Sequence, residues 1–185
     1  MIVDDVPMGI SAEEAVEHIK LVVLLNDFTA RALTKTELPK GFGFLQSKPT
    51  SSFAPIAITP AALGEHWRDQ RLNLAVHAHV NNNKLGAPHA GKDMFFGYPE
   101  LIAHAARTRR LSAGTIIGAG AVSNKDTSSG YACIAEARVE EQIAGGEPTT
   151  PFLQFGDRVR IEVLDRQGYS VFGAIDQQIV SLSSS

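Results

Sequence analysis

A mainly β fold of the mixed α+β class is what this sequence predicts, on three observations. Short apolar segments recur along the chain and are closed by Gly, Asn, Asp or Pro. Only two segments, one after Ser11 and one after Pro99, keep a clear helical period. Residues 72–80 and 159–163 alternate apolar and polar side chains, the two-residue period of a half-buried strand. Many short strands with few helices imply a mixed-sheet core.

Taken in order, Ile2 and Val3 run into Asp4, Asp5 and Pro7, which reads as the end of a strand that starts upstream of Met1. Ser11 is an N-cap candidate, and Glu14 completes a capping box three residues later. Ala12, Ala15, Val16 and Ile19 carry that helix to Lys20. The apolar run 21–25 is too short for another helix and reads as a buried strand, stopped at Asn26 and Asp27. Residues 28–33 form a short helix or turn, Gly41, Gly43 and Pro49 mark a loop, and 56–59 is a short strand. In 72–80, Leu72, Leu74 and Val76 share one face, and Asn81, Asn82 and Asn83 then supply a turn.

Pro99 opens a helix predicted over 100–110, striped by Leu101, Ile102, Ala105 and Ala106. Arg107, Arg109 and Arg110 fall where cations suit the negative end of its dipole. Residues 115–123 are apolar and punctuated by glycine, and 131–140 is a further strand candidate. Val159, Ile161 and Val163 alternate with Arg158, Arg160 and Glu162; Gln167 and Gly168 then turn the chain back into 169–175, a predicted hairpin. No repeat or linker divides the chain, so one domain is expected over 1–180 with a loose tail at 181–185.

Composition is that of an ordinary globular domain, with 44% hydrophobic and 20% charged residues. A net charge of −3 gives no general attraction to nucleic acid or to a membrane surface. No apolar run approaches the ~20 residues of a bilayer span. Met1 is not followed by a basic, then apolar, leader. Cys133 is the single cysteine, so no internal disulfide forms and a reducing, cytoplasmic setting is the expectation.

Five constellations carry possible chemistry. Asp27 closes an apolar strand, where a carboxylate either binds a cation or caps the next helix. The segment 41–49 lets backbone approach a ligand at Gly41 and Gly43 and delivers Lys48, which Pro49 holds extended; the plainer reading is a turn with a solvated lysine. Residues 118–123, GAGAVS, begin like a dinucleotide fingerprint, but Ser123 replaces its third glycine and a turn follows in place of a helix. His77 and His79 share a strand face and could chelate zinc, although no third ligand has convincing spacing. Glu136 is a carboxylate in an apolar segment, either partnered inside or facing water.

The order of these segments resembles the fumarylacetoacetate hydrolase family. The matching stretches are LLNDFTAR at 24–31, GFGFLQSKP at 41–49, FGYPELIAHAARTRRLSAGTIIGAGAVSN at 96–124, CIAEAR at 133–138 and TTPFLQFGDRVRIEVLD at 149–165. The resemblance implies a β-roll of bent mixed sheets with a few helices, assembled as a homodimer. It implies a divalent cation (Mg2+, Mn2+ or Ca2+) and a small keto acid as substrate, with hydrolysis of a carbon–carbon bond in a fumarylacetoacetate or acylpyruvate type of acid. It implies Asp27 as a metal ligand, Arg31 as a substrate contact, Lys48 as substrate contact and stabiliser of developing oxyanion charge, and Glu136 as the partner of a catalytic histidine. The family's Glu-x-Glu ligand pair and that histidine would precede Asp4, so the chain is expected to be an N-terminally shortened form with weak cation binding. A non-catalytic or dimerising remnant is the alternative. Ala121 stands where many relatives carry threonine, and Thr34 where fumarylacetoacetase uses glutamine.

Overall fold

A computed structural model describes residues 1–181, so of the expected tail only Ser181 falls within the described residues. The chain opens in β1 (Ile2–Val3), which pairs antiparallel with β2 (Ile19–Leu21). Between them stands α1 (Ala12–Ala15) with its capping box in place: Glu14 N–H donates to Ser11 Oγ at 3.2 Å and Ser11 N–H donates to Glu14 Oε2 at 3.1 Å. The helix does not reach Lys20. It tightens into a 3-10 turn at Val16–His18, and Ile19 goes extended at φ −78°, ψ 103°. Ile19 then lies opposite Val3, both buried, where a β-branched pair packs better than in a helix end.

The run 21–25 is not one strand. Val22 exchanges both backbone bonds with Ile58, at 2.8 and 2.9 Å, and β3 (Leu25–Asn26) pairs separately with β4 (Ser52–Phe53). Next, α2 (Arg31–Glu37) starts later than residues 28–33 suggested. The amide of Ala30 donates to the Ser47 carbonyl at 2.8 Å, which keeps the preceding residues out of the helix.

The strands β5 (Trp67–Arg68) and β6 (Arg71–Leu72) form a small hairpin. The central sheet comprises β7 (Val76–Val80), β8 (Asn83–Gly86), β9 (Arg158–Val163) and β10 (Ile175–Gln178), in the order β10-β9-β7-β8. Asn81 and Asn82 turn β7 into β8 with φ of 50° and 66°, the left-handed pair that a two-residue hairpin needs. Every named strand pairing is antiparallel.

The predicted hairpin exists with a shifted second strand. Val171 N–H still bonds the Val163 carbonyl at 2.8 Å, but the ladder proper joins Ile161 to Ile175 and Arg158 to Gln178. Phe172 leaves the sheet to become fully buried, and Gly173 turns the chain at φ 75° before β10 begins. A side chain there would press into Pro55, whose Cγ lies 2.5 Å from the place of a Cβ.

Two further segments differ from expectation. The helix α3 (Tyr98–Ala105) ends before Arg107, so the three arginines lie beyond it. The chain leaves the helix because Leu111 must return to Val6, with which it exchanges backbone bonds of 2.8 and 3.1 Å. The expected strand at 131–140 is mostly the helix α4 (Ile134–Ile143). Its residues, IAEARVEEQI, are largely strong helix formers, and only Ala137 among them is buried, too few for a strand's apolar row. The segment before α4 is pressed onto β8: a Cβ on Gly86 would stand 2.1 Å from Tyr131 N, and Tyr131 N–H donates to the Leu85 carbonyl at 3.2 Å.

The core is in two parts. Val22, Leu63, Leu72, Leu74, Val76, Val163, Phe172 and Ile175 pack against the central sheet. Val3, Val6, Ala15, Ile19, Ile102, Ala106 and Leu111 join β1, α1 and α3. Trp67 packs against both clusters and stacks on Tyr98 with ring centroids 5.5 Å apart.

Candidate functional site

A cleft of about 690 Å³ opens on the sheet. It is lined by residues 26–32, by Ala78 to Val80 with Val159 and Ile161 of the sheet, and by Cys133 to Ala135 with Phe152 to Phe155. Asp27 enters it directly after β3. It does not cap α2, whose N-cap is Ala30 with no side-chain bond. The Asp27 carboxylate instead receives Lys48 Nζ on Oδ2 at 2.7 Å and the Ser51 hydroxyl on Oδ1 at 3.3 Å. Lys48 Nζ also donates to Thr29 Oγ1 at 2.9 Å. The β3–β4 ladder, which pairs Asn26 with Ser52, brings the residues around Lys48 alongside Asp27.

Arg31 is the first residue of α2 and lines the same cleft, as does Lys35 one turn later. A cation in a first helical turn opposes the helix dipole. The charged residues that line the cleft are Asp27, Arg31 and Lys35, so with Lys48 beside Asp27 the balance favours an anion. Sequence reasoning missed Lys35, Thr29 and Ser51; the i, i+4 spacing of Arg31 and Lys35 was the available signal.

The loop that presents Lys48 is held by a residue the sequence did not single out. Glu37, at the end of α2, accepts from the amides of Leu45 at 2.9 Å, Gln46 at 2.6 Å and Ser47 at 3.2 Å, and from the Ser47 hydroxyl. These donors, the Leu45 amide foremost and then the Ser47 hydroxyl, pull its carboxyl from an ordinary 4.5 down to about 2. A carboxyl whose folded pKa is depressed stabilises the fold fully above its unfolded value and loses that contribution as pH falls towards the folded value. The expected result is that the amide signals of Leu45 to Ser47 hold through pH 4.5 and change only as pH approaches about 2, with the step absent in Glu37→Gln. An NMR acid titration in which these amides shift around 4.5 would disprove the latch.

Glu136 sits one residue beyond the cleft-lining Ala135, on the first turn of α4 and not on a strand. Its Oε1 accepts from Ser123 Oγ, and its Oε2 is buried without a hydrogen-bond partner among the described residues. The structure thus places Asp27 and Arg31 on the lining of one cleft, ties Lys48 to Asp27 beside it, and leaves Glu136 adjacent to it. His79 lines the cleft, and its Nδ1 is likewise buried and unpartnered among the described residues. Among these residues no group of three His, Cys, Asp or Glu side chains is placed to hold a metal ion. The zinc reading of His77 and His79 therefore lacks a third ligand, and Asp27 alone does not complete the oxygen set of a divalent cation.

The family profile described as "Fumarylacetoacetate (FAA) hydrolase C-terminal" matches residues 1–180. Oxaloacetate tautomerase YisK of Bacillus subtilis (strain 168) is 31% identical over 157 residues, which is 83% of this chain. The chain spans 43% of the length of that relative. Among solved structures, a yeast fumarylacetoacetate hydrolase family protein superposes with a TM-score of 0.67 at 16% identity, over 100% of this chain and 66% of its own. Fumarylpyruvate hydrolase from Pseudomonas aeruginosa, in complex with Mn2+ and pyruvate, gives 0.64 at 14% identity, over 97% of this chain and 62% of its own. Maleylpyruvate hydrolase from Sphingobium sp. SYK-6 gives 0.61 at 17%, over 97% of this chain and 51% of its own.

Proposed function

The chain belongs to the fumarylacetoacetate hydrolase family, and from that premise we propose that its cleft binds a small 2-oxo or β-diketo acid and stabilises the enolate formed from it. The observation that carries this reading is the placement of Lys48 Nζ 2.7 Å from Asp27 Oδ2 beside a cleft also lined by Arg31 and Lys35. A guanidinium takes a carboxylate in two parallel bonds, which fixes the acid end of the substrate. An ammonium aimed at the keto oxygen favours the charge that grows there as an enolate or oxyanion forms. Asp27 holds that ammonium in place. The apolar side chains of Phe152, Val159 and Ile161 give the remaining carbon chain a surface that excludes water.

The described residues do not complete the donor set of a divalent cation, so this reading covers the chain's own share of the site. That Mn2+ and pyruvate occupy the Pseudomonas relative supports a cation-assisted reaction on a 2-oxo acid here, with Asp27 as this chain's ligand. Hydrolytic cleavage of an acylpyruvate-type carbon–carbon bond is the leading outcome. Tautomerisation is the second reading, favoured by the 31% identical oxaloacetate tautomerase. Each passes through the enolate of a 2-oxo acid, that of pyruvate on cleavage and that of oxaloacetate on tautomerisation.

The test is an NMR titration with pyruvate, followed by assays of acylpyruvate cleavage and of oxaloacetate keto–enol exchange. A charge-assisted bond is worth about 1.5–3 kcal/mol. Lys48→Ala and Arg31→Ala are each expected to weaken pyruvate binding by roughly one to two factors of ten. Affinity unchanged from the parent chain in both variants would sink the anion site, and binding without either reaction would favour a non-catalytic remnant.

A further inference from the structure

The charges at the two ends of α2 oppose its dipole, with Arg31 as its first residue and Glu37 as its last. A local rule broken at both ends of one short helix calls for a compensating role at each. Arg31 has one in the cleft. Glu37 touches nothing there, and the residues it does hold are Leu45, Gln46 and Ser47. Those three consecutive amides converge on one carboxylate, the arrangement of an anion-binding nest with the anion supplied by the protein itself.

The next residue in the chain is Lys48. Its backbone therefore has two fixed neighbours. On one side Ser47 is fully buried, bonded to Glu37 through its amide and hydroxyl and to Ala30 through its carbonyl. On the other, β4 is laddered to β3. The loop before this anchor has little else to hold it, since Phe42 is 85% exposed and Gly41 and Gly43 both carry positive φ. Without Glu37 the segment 45–47 loses four of the bonds that set where Lys48 begins, and the Ser47 carbonyl keeps its bond from Ala30.

We propose that Glu37 is a positioning residue for Lys48: by closing the 41–47 loop on the end of α2 it fixes the ammonium between Asp27 and Thr29, at the distance an anionic substrate requires. This inference rests on the reading of Lys48 as a substrate contact, and the experiment separates the two. The 185-residue chain and its Glu37→Gln, Lys48→Ala and double variants are acylated briefly with an N-hydroxysuccinimidyl acetate. Labelling at Lys48 is then read by peptide mapping against Lys35 and Lys40. The same proteins are titrated with pyruvate.

Glu37→Gln is expected to raise Lys48 labelling on the order of tenfold relative to the reference lysines, because the ammonium leaves its charge-assisted partners. It should weaken pyruvate binding by a similar factor when Lys48 is present and add nothing in the Lys48→Ala background, the signature of two residues acting as one unit. Unchanged Lys48 labelling would overturn the proposal whatever pyruvate does. So would a pyruvate loss of equal size in the Lys48→Ala background, which marks a general effect on the fold. Increased labelling without any pyruvate binding to the parent chain would retain the positioning role and remove the substrate reading. If Glu37→Gln does not fold, Ser47→Ala removes one donor of the nest and should move Lys48 labelling in the same direction by less; no movement overturns the proposal.

Discussion

Phe172→Ala is expected to destabilise the protein by about 3–5 kcal/mol, the usual range for deleting a buried aromatic ring. Phe172 is 0% exposed and is among the largest side chains to be fully enclosed. It packs with Val22, Leu63, Leu72, Val76, Val163 and Ile175, residues drawn from elements spread over most of the chain. Its carbonyl also accepts from Ile56 N–H at 3.1 Å, and Gly173 turns sharply next to it, so the backbone has little freedom to collapse into the space left behind. For a chain of this size such a loss lowers the melting temperature on the order of 10 °C. Phe155→Ala is the control: that ring is 73% exposed, and its removal should change stability by less than about 0.5 kcal/mol. A thermal or denaturant melt in which Phe172→Ala costs no more than Phe155→Ala would show that the core lies elsewhere.

What the sequence made legible is what neighbouring residues decide. The capping box of Ser11 and Glu14, the left-handed turn at Asn81 and Asn82 and the alternation of β9 are settled within a few residues, and each appears where the pattern put it. What it hid depends on distant partners. Ile19 continues a helical period but is claimed by Val3 across a sheet, and the arginine-rich end of α3 is cut short because Leu111 returns to Val6. The apolar start of 131–140 predicts a strand; its Ala and Glu content favours helix, and the close approach of Gly86 to Tyr131 leaves α4 beside the sheet and not within it. At the site, Asp27 and Arg31 are near in sequence and line one cleft, and one short ladder brings Lys48 to Asp27. Glu136 comes from a separate helix and bonds Ser123. Glu37 escaped notice because an acid in an exposed helix end has no local signature; its role shows only when the loop folds back.

The 185-residue chain is expected to bind Mg2+ or Mn2+ with a Kd no tighter than about 1 mM. Mg2+ demands a near-octahedral set of oxygens and releases water reluctantly. The resemblance implies a family site of three carboxylates, and Asp27 is the one this chain matches to it. A pair of unit charges at ~4 Å is worth about 4 kcal/mol at an effective dielectric of ~20, so two fewer carboxylates remove on the order of three or more factors of ten in affinity, even after water replaces some of the ligands. Asp27 must also exchange its bond to Lys48 for the ion, a further cost that falls on the same carboxylate. The nearest acids in sequence to β1 offer little help, since Asp4 is held by Lys20 at 2.9 Å and His18 at 2.6 Å, and Asp5 accepts from the Ala113 amide. Calorimetry with MgCl2 and MnCl2 measures the affinity directly, with Asp27→Asn expected to abolish what remains. Acylpyruvate turnover should be correspondingly slow, because a positioned water-activating base contributes typically ~10²–10⁴ in rate and His79 is the only histidine lining the cleft among the described residues. A micromolar Kd from this chain would refute the expectation. If Asp27→Asn then left that affinity intact, the ion would have to be held by carboxylates other than Asp27; if it abolished the affinity, a second copy of the chain would be the source of the missing ligands, and the affinity should fall on dilution.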